Sequence, residues 1–340
     1  MQQFLIIQTA FIGDVVLATG LIEKLHRYFP DAKIDFLVRK GNEGLLQGHP
    51  YLREVLVWNK KQHKLANLYK LLQRIRATKY DKVINVQRFA ATGMLTGFSN
   101  ATEKIGFDKN PMSMMFTQKI GHVIGSEEKI HHEIDRNVRL ISSFTDDVPE
   151  RPKLYPTKAD SEKVAKYKQR PYITVSPASI WFTKQYPIDK WISFTNQVPP
   201  QYNIFLLGAP GDHGRAEKIL AQSVHASVTN LCGELNFLQS ASLMQDAFMN
   251  YVNDSAPMHF ASAVNAPVAA VYCSTLPSFG FGPLSDVKHI VEIQHSLKCR
   301  PCGLHGRDAC PLGHFKCAYE IRDEQLVAAM LPSCKGGEGA

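Results

Sequence analysis

The sequence predicts an α/β protein of two domains, each built on a parallel sheet. Three observations carry that prediction. Short apolar, β-rich runs alternate with amphipathic stretches of helix length, the pattern of βαβ units. The alternation stops once, in a proline-bearing break at 146–171, and then restarts. The chain is 340 residues long, more than one ordinary hydrophobic core holds. Its 44% hydrophobic and 21% charged residues exclude a disordered chain, a collagen-like repeat and a small disulfide scaffold.

In the first half, Phe4-Leu5-Ile6-Ile7 reads as the opening strand and ends at a Gly-Asp turn. Val15 to Tyr28 has helical apolar spacing and is closed by Pro30. Ile34 to Val38 and Val55 to Trp58 follow as strands, then a helix from Leu65 to Ile75. Lys82 to Val86 and Lys104 to Phe107 complete the strands, and His131 to Phe144 reads as one more helix. Residues 1–150 form the first domain, and 151–171, with Pro152, Pro156 and Pro171 around a charged helical stretch, form a linker.

The second domain, 172–322, repeats the plan. Strands are predicted at Tyr172 to Val175, Ile204 to Leu207, Val228 to Leu231, Tyr251-Val252 and Val268 to Tyr272. Between them lie helices at Ile188 to Gln197, Ala216 to Ser223, Phe237 to Asp246 and Pro257 to Val264. A final helix at 323–331 precedes a glycine-rich tail, 332–340. Open parallel sheets bind ligands at the C-terminal ends of their strands, so two such domains facing each other make a cleft.

Net charge is +8, and the pI is near 9.0. Eight basic residues and one acid lie between Lys60 and Lys82, either as a solvated helix face or as a surface for an anionic partner. No helix-turn-helix or stacking-aromatic pattern accompanies that charge, so nucleic acid is not the expected partner. The N-terminus has no basic leader, and no run is long and apolar enough to span a bilayer, so a cytoplasmic location is expected.

Neither a P-loop nor a G-x-G-x-x-G follows the first strand. Phe11-Ile12-Gly13-Asp14 turns there instead. Asp14 stands where a helix cap would stand, and it reads either as that cap or as a carboxylate aimed at a ligand. Lys184, in Thr183-Lys184-Gln185-Tyr186-Pro187, is placed in a strand-to-helix loop to meet a diphosphate as a point charge. Gly208-Ala209-Pro210-Gly211-Asp212 follows a strand, and Asp212 reads as a helix cap or as an acceptor for ribose hydroxyls. The strongest local pattern is Asn253-Asp254-Ser255-Ala256-Pro257-Met258-His259. A strand runs into a helix start whose free N–H groups make an anion site, with small Ser255 and Ala256 leaving room for phosphate.

Taken in order, F-I-G-D-V-V-L-A-T, T-K-Q-Y-P, L-L-G-A-P-G-D, N-L-C-G-E-L and N-D-S-A-P-M-H-F-A-S-A resemble the ADP-heptose:lipopolysaccharide heptosyltransferases, glycosyltransferase family 9. The resemblance runs over about residues 1–330. Ala256 departs from it, since glycine is usual there. The resemblance implies the GT-B class: two Rossmann-like domains facing across a cleft, the first for the acceptor and the second for the nucleotide sugar. It implies an inverting transfer of heptose from ADP-heptose to the inner core of lipopolysaccharide, with no cofactor or catalytic metal. Asp14 matches the general base and Lys184 the diphosphate lysine. Asp212 falls by the ribose and Leu235 by the adenine. Asp254, Ser255, Ala256, Pro257, Met258 and His259 match the pyrophosphate-binding helix start. The implied partners are the nucleotide sugar, a phosphorylated glycolipid acceptor and the anionic inner face of the inner membrane, met peripherally.

Seven cysteines remain to be placed, four of them at Cys299, Cys302, Cys310 and Cys317. One Cys-x2-Cys pair with two further thiols, and His305 and His314 nearby, has the spacing of a structural zinc site. A disulfide-stapled loop and four reduced thiols are the alternatives. Two other functions share these features: a different nucleotide-sugar enzyme on the same cleft, such as a hexosyltransferase or an epimerase, and a basic binding module folded on zinc.

Overall fold

The alternating runs assemble into two six-stranded sheets, all of whose pairings are parallel. The structure is a computed structural model and describes residues 1–123 and 131–331. The first unit comprises Met1–Thr157 together with Ser262–Val264 and Ser278–Gly282. The second comprises Lys158–Ala261, Asn265–Pro277 and the chain from Pro283 onward.

In the first unit β1 (Gln3–Ile7), β2 (Lys33–Arg39), β3 (Leu52–Trp58), β4 (Lys82–Asn85), β5 (Glu103–Phe107) and β6 (Gln118–Ile120) lie in the order β3-β2-β1-β4-β5-β6. Its helices are α1 (Ile12–Tyr28), α2 (Lys64–Ala77), α3 (Ala90–Gly97) and α4 (Glu133–Val138). Central strands buried on both faces read as continuous apolar runs, and β1 is one: Phe4 through Ile7 are fully buried. Helix α2 lays Leu68, Leu71 and Ile75 against Leu5, Leu37, Leu56 and Val83 and leaves its other face exposed.

The second unit begins with α5 (Lys158–Val164). Its strands are β7 (Tyr172–Ser176), β8 (Asn203–Leu206), β9 (Val228–Asn230), β10 (Met249–Asn253), β11 (Val268–Val271) and β12 (Lys288–Val291), in the order β12-β11-β10-β7-β8-β9. Helices α6 (Ile188–Gln197), α7 (His213–Gln222), α8 (Phe237–Gln245) and α9 (Ala256–Ala263) connect the strands; α10 (Lys316–Tyr319) and α11 (Asp323–Ala328) follow them. Trp191, Phe194 and Tyr251 pack with Ile173, Ile204 and Val271 at its core.

Counted from its own first strand, each sheet has the same order, 3-2-1-4-5-6, so both units are Rossmann-like, as expected. The chain reverses its direction of travel across the sheet between β1 and β4 in one unit, and between β7 and β10 in the other. These two switch points are where ligand-binding side chains collect in such sheets.

Several boundaries differ from the sequence reading. The helix expected over His131 to Phe144 is only α4. The Asp135 carboxylate accepts from His132 N–H at 2.8 Å and starts it at Glu133, and from Leu140 onward the chain closes in tighter turns. Helix α3 escaped notice because Ala90-Ala91-Thr92-Gly93 shows no amphipathic period. Edge strands β6 and β12 are only three and four residues long. The segment read as a linker divides, with 151–157 in the first unit and 158–171, including α5, in the second. The last helix ends at Ala328, and the tail 332–340 lies outside the described residues. Among the described residues no helix is long and apolar enough to cross a membrane.

Candidate active site

At the β1–β4 switch point of the first unit, β1 ends in Gln8-Thr9 and β4 leads to Gln87 and Arg88. The Gln87 side chain bonds to Gln8 and accepts from Thr9 Oγ1 at 3.4 Å, which ties the two strand ends together. Asp14 stands beside them on the first turn of α1. It is not the cap: Phe11 holds that position, and Asp14 is the third helical residue, its Oδ2 accepting the Phe11 N–H at 3.2 Å. Burial raises the Asp14 carboxyl above its ordinary value. The N–H groups of Phe11 and Asp14 and the charges of Arg39 and Arg88 pull the other way without cancelling that rise.

Four more ionisable groups surround this turn. Glu133 is buried, accepts from Arg136 Nε at 2.9 Å, and is raised first by desolvation, with the Asp14 charge adding to the rise. Arg39 ends β2 and lies over the Phe11 ring, 5.0 Å from its centroid. Lys60, just past β3, donates to Thr9 O at 2.8 Å and Thr9 Oγ1 at 3.0 Å. Burial, then Arg39 and Lys64, lower the Lys60 ammonium to about 8. Sequence reasoning singled out none of Arg39, Arg88 and Glu133, and held Lys60 only as part of a basic run. They come from separate elements and share no motif. The available signal was that Arg39, Lys60 and Arg88 each stand at the C-terminal end of a strand.

The second unit repeats the placement with different chemistry. Lys184 ends a short 3₁₀ turn, Phe182–Lys184, after β7. Its Nζ lies 2.6 Å from Asp254 Oδ2, directly after β10, so the two residues bridge the second switch point. Thr275 Oγ1 donates to the same Oδ2 at 2.6 Å. Asp254, Met258 and His259 are buried, and the preceding Asn253 accepts the Tyr186 N–H at 3.0 Å, which fixes the strand end. The start of α9 offers fewer free N–H groups than the sequence suggested. Pro257 has no N–H, and Met258 N–H donates to Ser255 O at 3.1 Å. Ser255 and Ala256 keep the N–H groups that a helix start leaves for a ligand.

Asp212 and Leu235 stand at the ends of the next two strands, β8 and β9. Asp212 Oδ2 accepts the Ala209 N–H at 2.8 Å, and Gly233 N–H donates to Gly208 O at 3.0 Å, so the two turns adjoin. Gly233 has a φ of +85°, and a Cβ there would stand 3.0 Å from Pro210 Cα, so the close approach requires glycine. Leu235 is half-buried beside this turn.

The cysteine-rich loop belongs to the second unit. All six described cysteines are free thiols. Cys317 packs into the core with Cys273 and Phe315. Burial, then the neighbouring thiols Cys310, Cys299 and Cys302, push it up to about 12. Cys299 Sγ lies 3.9 Å from His314 Nε2. Among the described residues no group of three or more His, Cys, Asp or Glu is arranged to hold a metal ion.

Comparison with known proteins follows the same lines. The profile of glycosyltransferase family 9 (heptosyltransferase) matches residues 68–306. Lipopolysaccharide heptosyltransferase 3 of Escherichia coli is 25% identical over 281 residues, covering 78% of this chain and 82% of that protein. A family 9 glycosyltransferase of Veillonella parvula superposes with a TM-score of 0.82 at 19% identity, over 96% of this chain and 95% of that one. A heptosyltransferase of Escherichia coli, solved with ADP-2-deoxy-2-fluoro heptose, superposes with a TM-score of 0.70 at 18% identity, over 96% and 99% of the two chains.

Proposed function

The chain belongs to glycosyltransferase family 9, and from that premise we propose that it transfers heptose from ADP-heptose to the inner core of lipopolysaccharide with inversion at the anomeric carbon. The membership makes it a glycosyltransferase of the heptosyltransferase type, and its curated relatives act in lipopolysaccharide biosynthesis.

The observation that carries the mechanism is the desolvated carboxylate of Asp14 at the β1–β4 switch point. A carboxylate with a raised proton affinity is a stronger base than one in water, and it takes the proton from the acceptor hydroxyl as the C–O bond forms. The oxygen attacks from the face opposite the diphosphate, so the configuration inverts. The bond to the diphosphate breaks, and its electron pair leaves with the phosphate oxygen. Lys184 and the N–H groups of Ser255 and Ala256 meet the charge that grows there, an interaction stronger in the transition state than in the ground state. Asp212 takes the ribose hydroxyls, Leu235 lies by the adenine, and the reading requires no metal ion.

On the acceptor side Arg39, Lys60 and Arg88 give the first unit a cationic rim suited to a phosphorylated glycolipid. Helix α2 adds a surface for the membrane that carries it. Leu65 and Tyr69, 76% and 63% exposed, share one helical face with basic residues on either side. The test is a panel of nucleotide sugars offered with lipid A–core acceptors truncated stepwise, with the transferred mass read directly. A heptose increment that appears only with the ADP donor and an inner-core acceptor is expected. A hexose increment, or an epimerised donor with no transfer, overturns the assignment.

A further inference from the structure

The cysteine-rich loop has no role in the chemistry described so far, yet its middle is pinned to the donor side of the second unit. Thr183 N–H donates to Arg307 O at 3.0 Å, and Arg307 N–H donates back to Thr183 Oγ1 at 2.8 Å. Gly306, with a φ of +79°, lies so close that a Cβ on it would stand 2.9 Å from Lys184 Cγ and 3.1 Å from Thr183 Oγ1. Earlier in the loop, Cys302 N–H donates to Ser274 O at 2.8 Å, and Ser274 Oγ donates to Thr183 Oγ1 at 3.0 Å. Thr275, the next residue, holds Asp254. The loop therefore closes a ring of contacts that runs through Thr183, Lys184, Asp254, Thr275 and Ser274 and back to itself.

Charge gives that ring a consequence. A nucleoside diphosphate sugar carries two negative charges at neutral pH. Lys184 is the cation assigned to meet them, but it is already paired with the Asp254 carboxylate at 2.6 Å, and the pair is neutral as a unit. The Arg300 guanidinium is also committed: it donates to the carbonyls of Cys273 at 2.8 Å and Thr275 at 2.9 Å and pairs with Glu292. Arg307 is different. Its backbone is held by two hydrogen bonds one residue from Lys184, while its side chain is exposed and has no hydrogen-bond or ion-pair partner among the described residues. It lies one residue past the family match.

We propose that the cysteine-rich loop is part of the donor site, with its backbone fixing the Thr183–Lys184 turn and Arg307 supplying the second cation to the donor diphosphate. The inference rests on the donor reading above. A guanidinium suits this place because it forms charge-assisted, bidentate bonds to phosphate oxygens and stays charged at all working pH.

Calorimetric titration of the full chain with ADP and with adenosine tests it. Arg307→Ala is expected to weaken ADP roughly tenfold or more, the size of a lost hydrogen bond to a charged group, and to leave adenosine unchanged. Arg307→Lys restores part of the loss. In turnover, the donor KM rises and the acceptor KM does not. Gly306→Ala, which crowds Lys184, weakens ADP without removing a charge. If Lys184→Ala weakens ADP and Arg307→Ala does not, the inference falls and the donor reading stands. Equal weakening of ADP and adenosine by Arg307→Ala also overturns it, because a phosphate contact cannot act on adenosine. If the wild type fails to bind ADP, the donor reading falls and this inference falls with it.

Discussion

Phe11-Ile12-Gly13-Asp14 and Ala209-Pro210-Gly211-Asp212 are the same turn made twice. Each follows a parallel strand, and each ends in an aspartate whose Oδ2 accepts the N–H three residues back, at 3.2 Å and 2.8 Å. The surroundings separate them. Burial raises the proton affinity of Asp14, with Arg39 and Arg88 opposing that rise and Glu133 feeling the Asp14 charge. Asp212 follows β8, one strand over from the β7–β10 switch point. At that switch point the second unit places a direct ion pair, Lys184–Asp254, where the first unit has a carboxylate whose cations act from a distance. A repeated fold therefore supplies two similar edges. The proposed division between a base in one unit and a cradle for charge in the other rests on this difference in burial and pairing.

The largest effect expected from this contrast is on turnover. Asp14→Ala removes the base and should lower kcat by about 10²–10⁴-fold, with ADP-sugar affinity measured by titration nearly unchanged. A variant with normal kcat breaks the comparison at its centre. Asp14→Asn carries a second expectation of known sign. A carboxyl whose value is raised on folding binds its proton more tightly in the folded state, so the stability it confers is present at low pH and lost as pH rises through the folded value. At neutral pH the ionised group is a cost, and Asp14→Asn should melt above the wild type there and lose that advantage in acid.

Next in size is the ion pair. Asp254→Ala leaves Lys184 charged, mostly buried and without its partner, and breaking such a pair is expected to cost about 3 kcal/mol. Chemical denaturation monitored in each unit separately should place that loss in the second unit. If both units lose stability equally, the pair is not the local cradle described here.

How much of this was legible in the sequence follows from the same physics. Strands β1, β2, β4, β7 and β8 were readable because buried parallel strands are continuous apolar runs. Helix α6 was readable in full because Trp191 and Phe194 recur at helical spacing. The turns that carry Lys184 and Asp254 were readable as strand ends because each is a contiguous motif, and the helix after Asp254 was read one residue late, at Pro257 for Ala256. Glu133 and Arg88 were not, because only the folded sheet brings residues 14, 88 and 133 to one place. The cap position of Asp14 was misread by three residues, since the turn begins on Phe11, a residue with no capping side chain.

A smaller effect separates the units by pH. Burial, then His26 and Lys153, lower His49 to about 4; burial, then Arg88 and Arg136, lower His122 to about 4. Both belong to the first unit. A histidine lowered on folding confers stability that is present above its unfolded value of 6.5 and lost as pH falls through about 4. Amide exchange followed between pH 6.5 and 4 should therefore show protection falling in the first unit before the second. Simultaneous loss would show that these two groups do not distinguish the units.

The smallest effect tests the repeated turn itself. Asp212→Asn keeps the shape of the side chain and an oxygen able to accept the Ala209 N–H, but removes the charge. The Asp212 side chain is partly exposed, so the turn should lose no more than about 1 kcal/mol, the net worth of one hydrogen bond. ADP-sugar affinity should fall by less than about tenfold if the carboxylate only accepts from ribose hydroxyls, since an amide oxygen still accepts. Adenosine should weaken by the same factor as ADP, because a ribose contact is common to both. That pattern is the opposite of the one expected for Arg307→Ala, where only the diphosphate ligand is affected. If Asp212→Asn instead lowers kcat as Asp14→Ala does, the two turns have the same role, and the division between base and cradle fails.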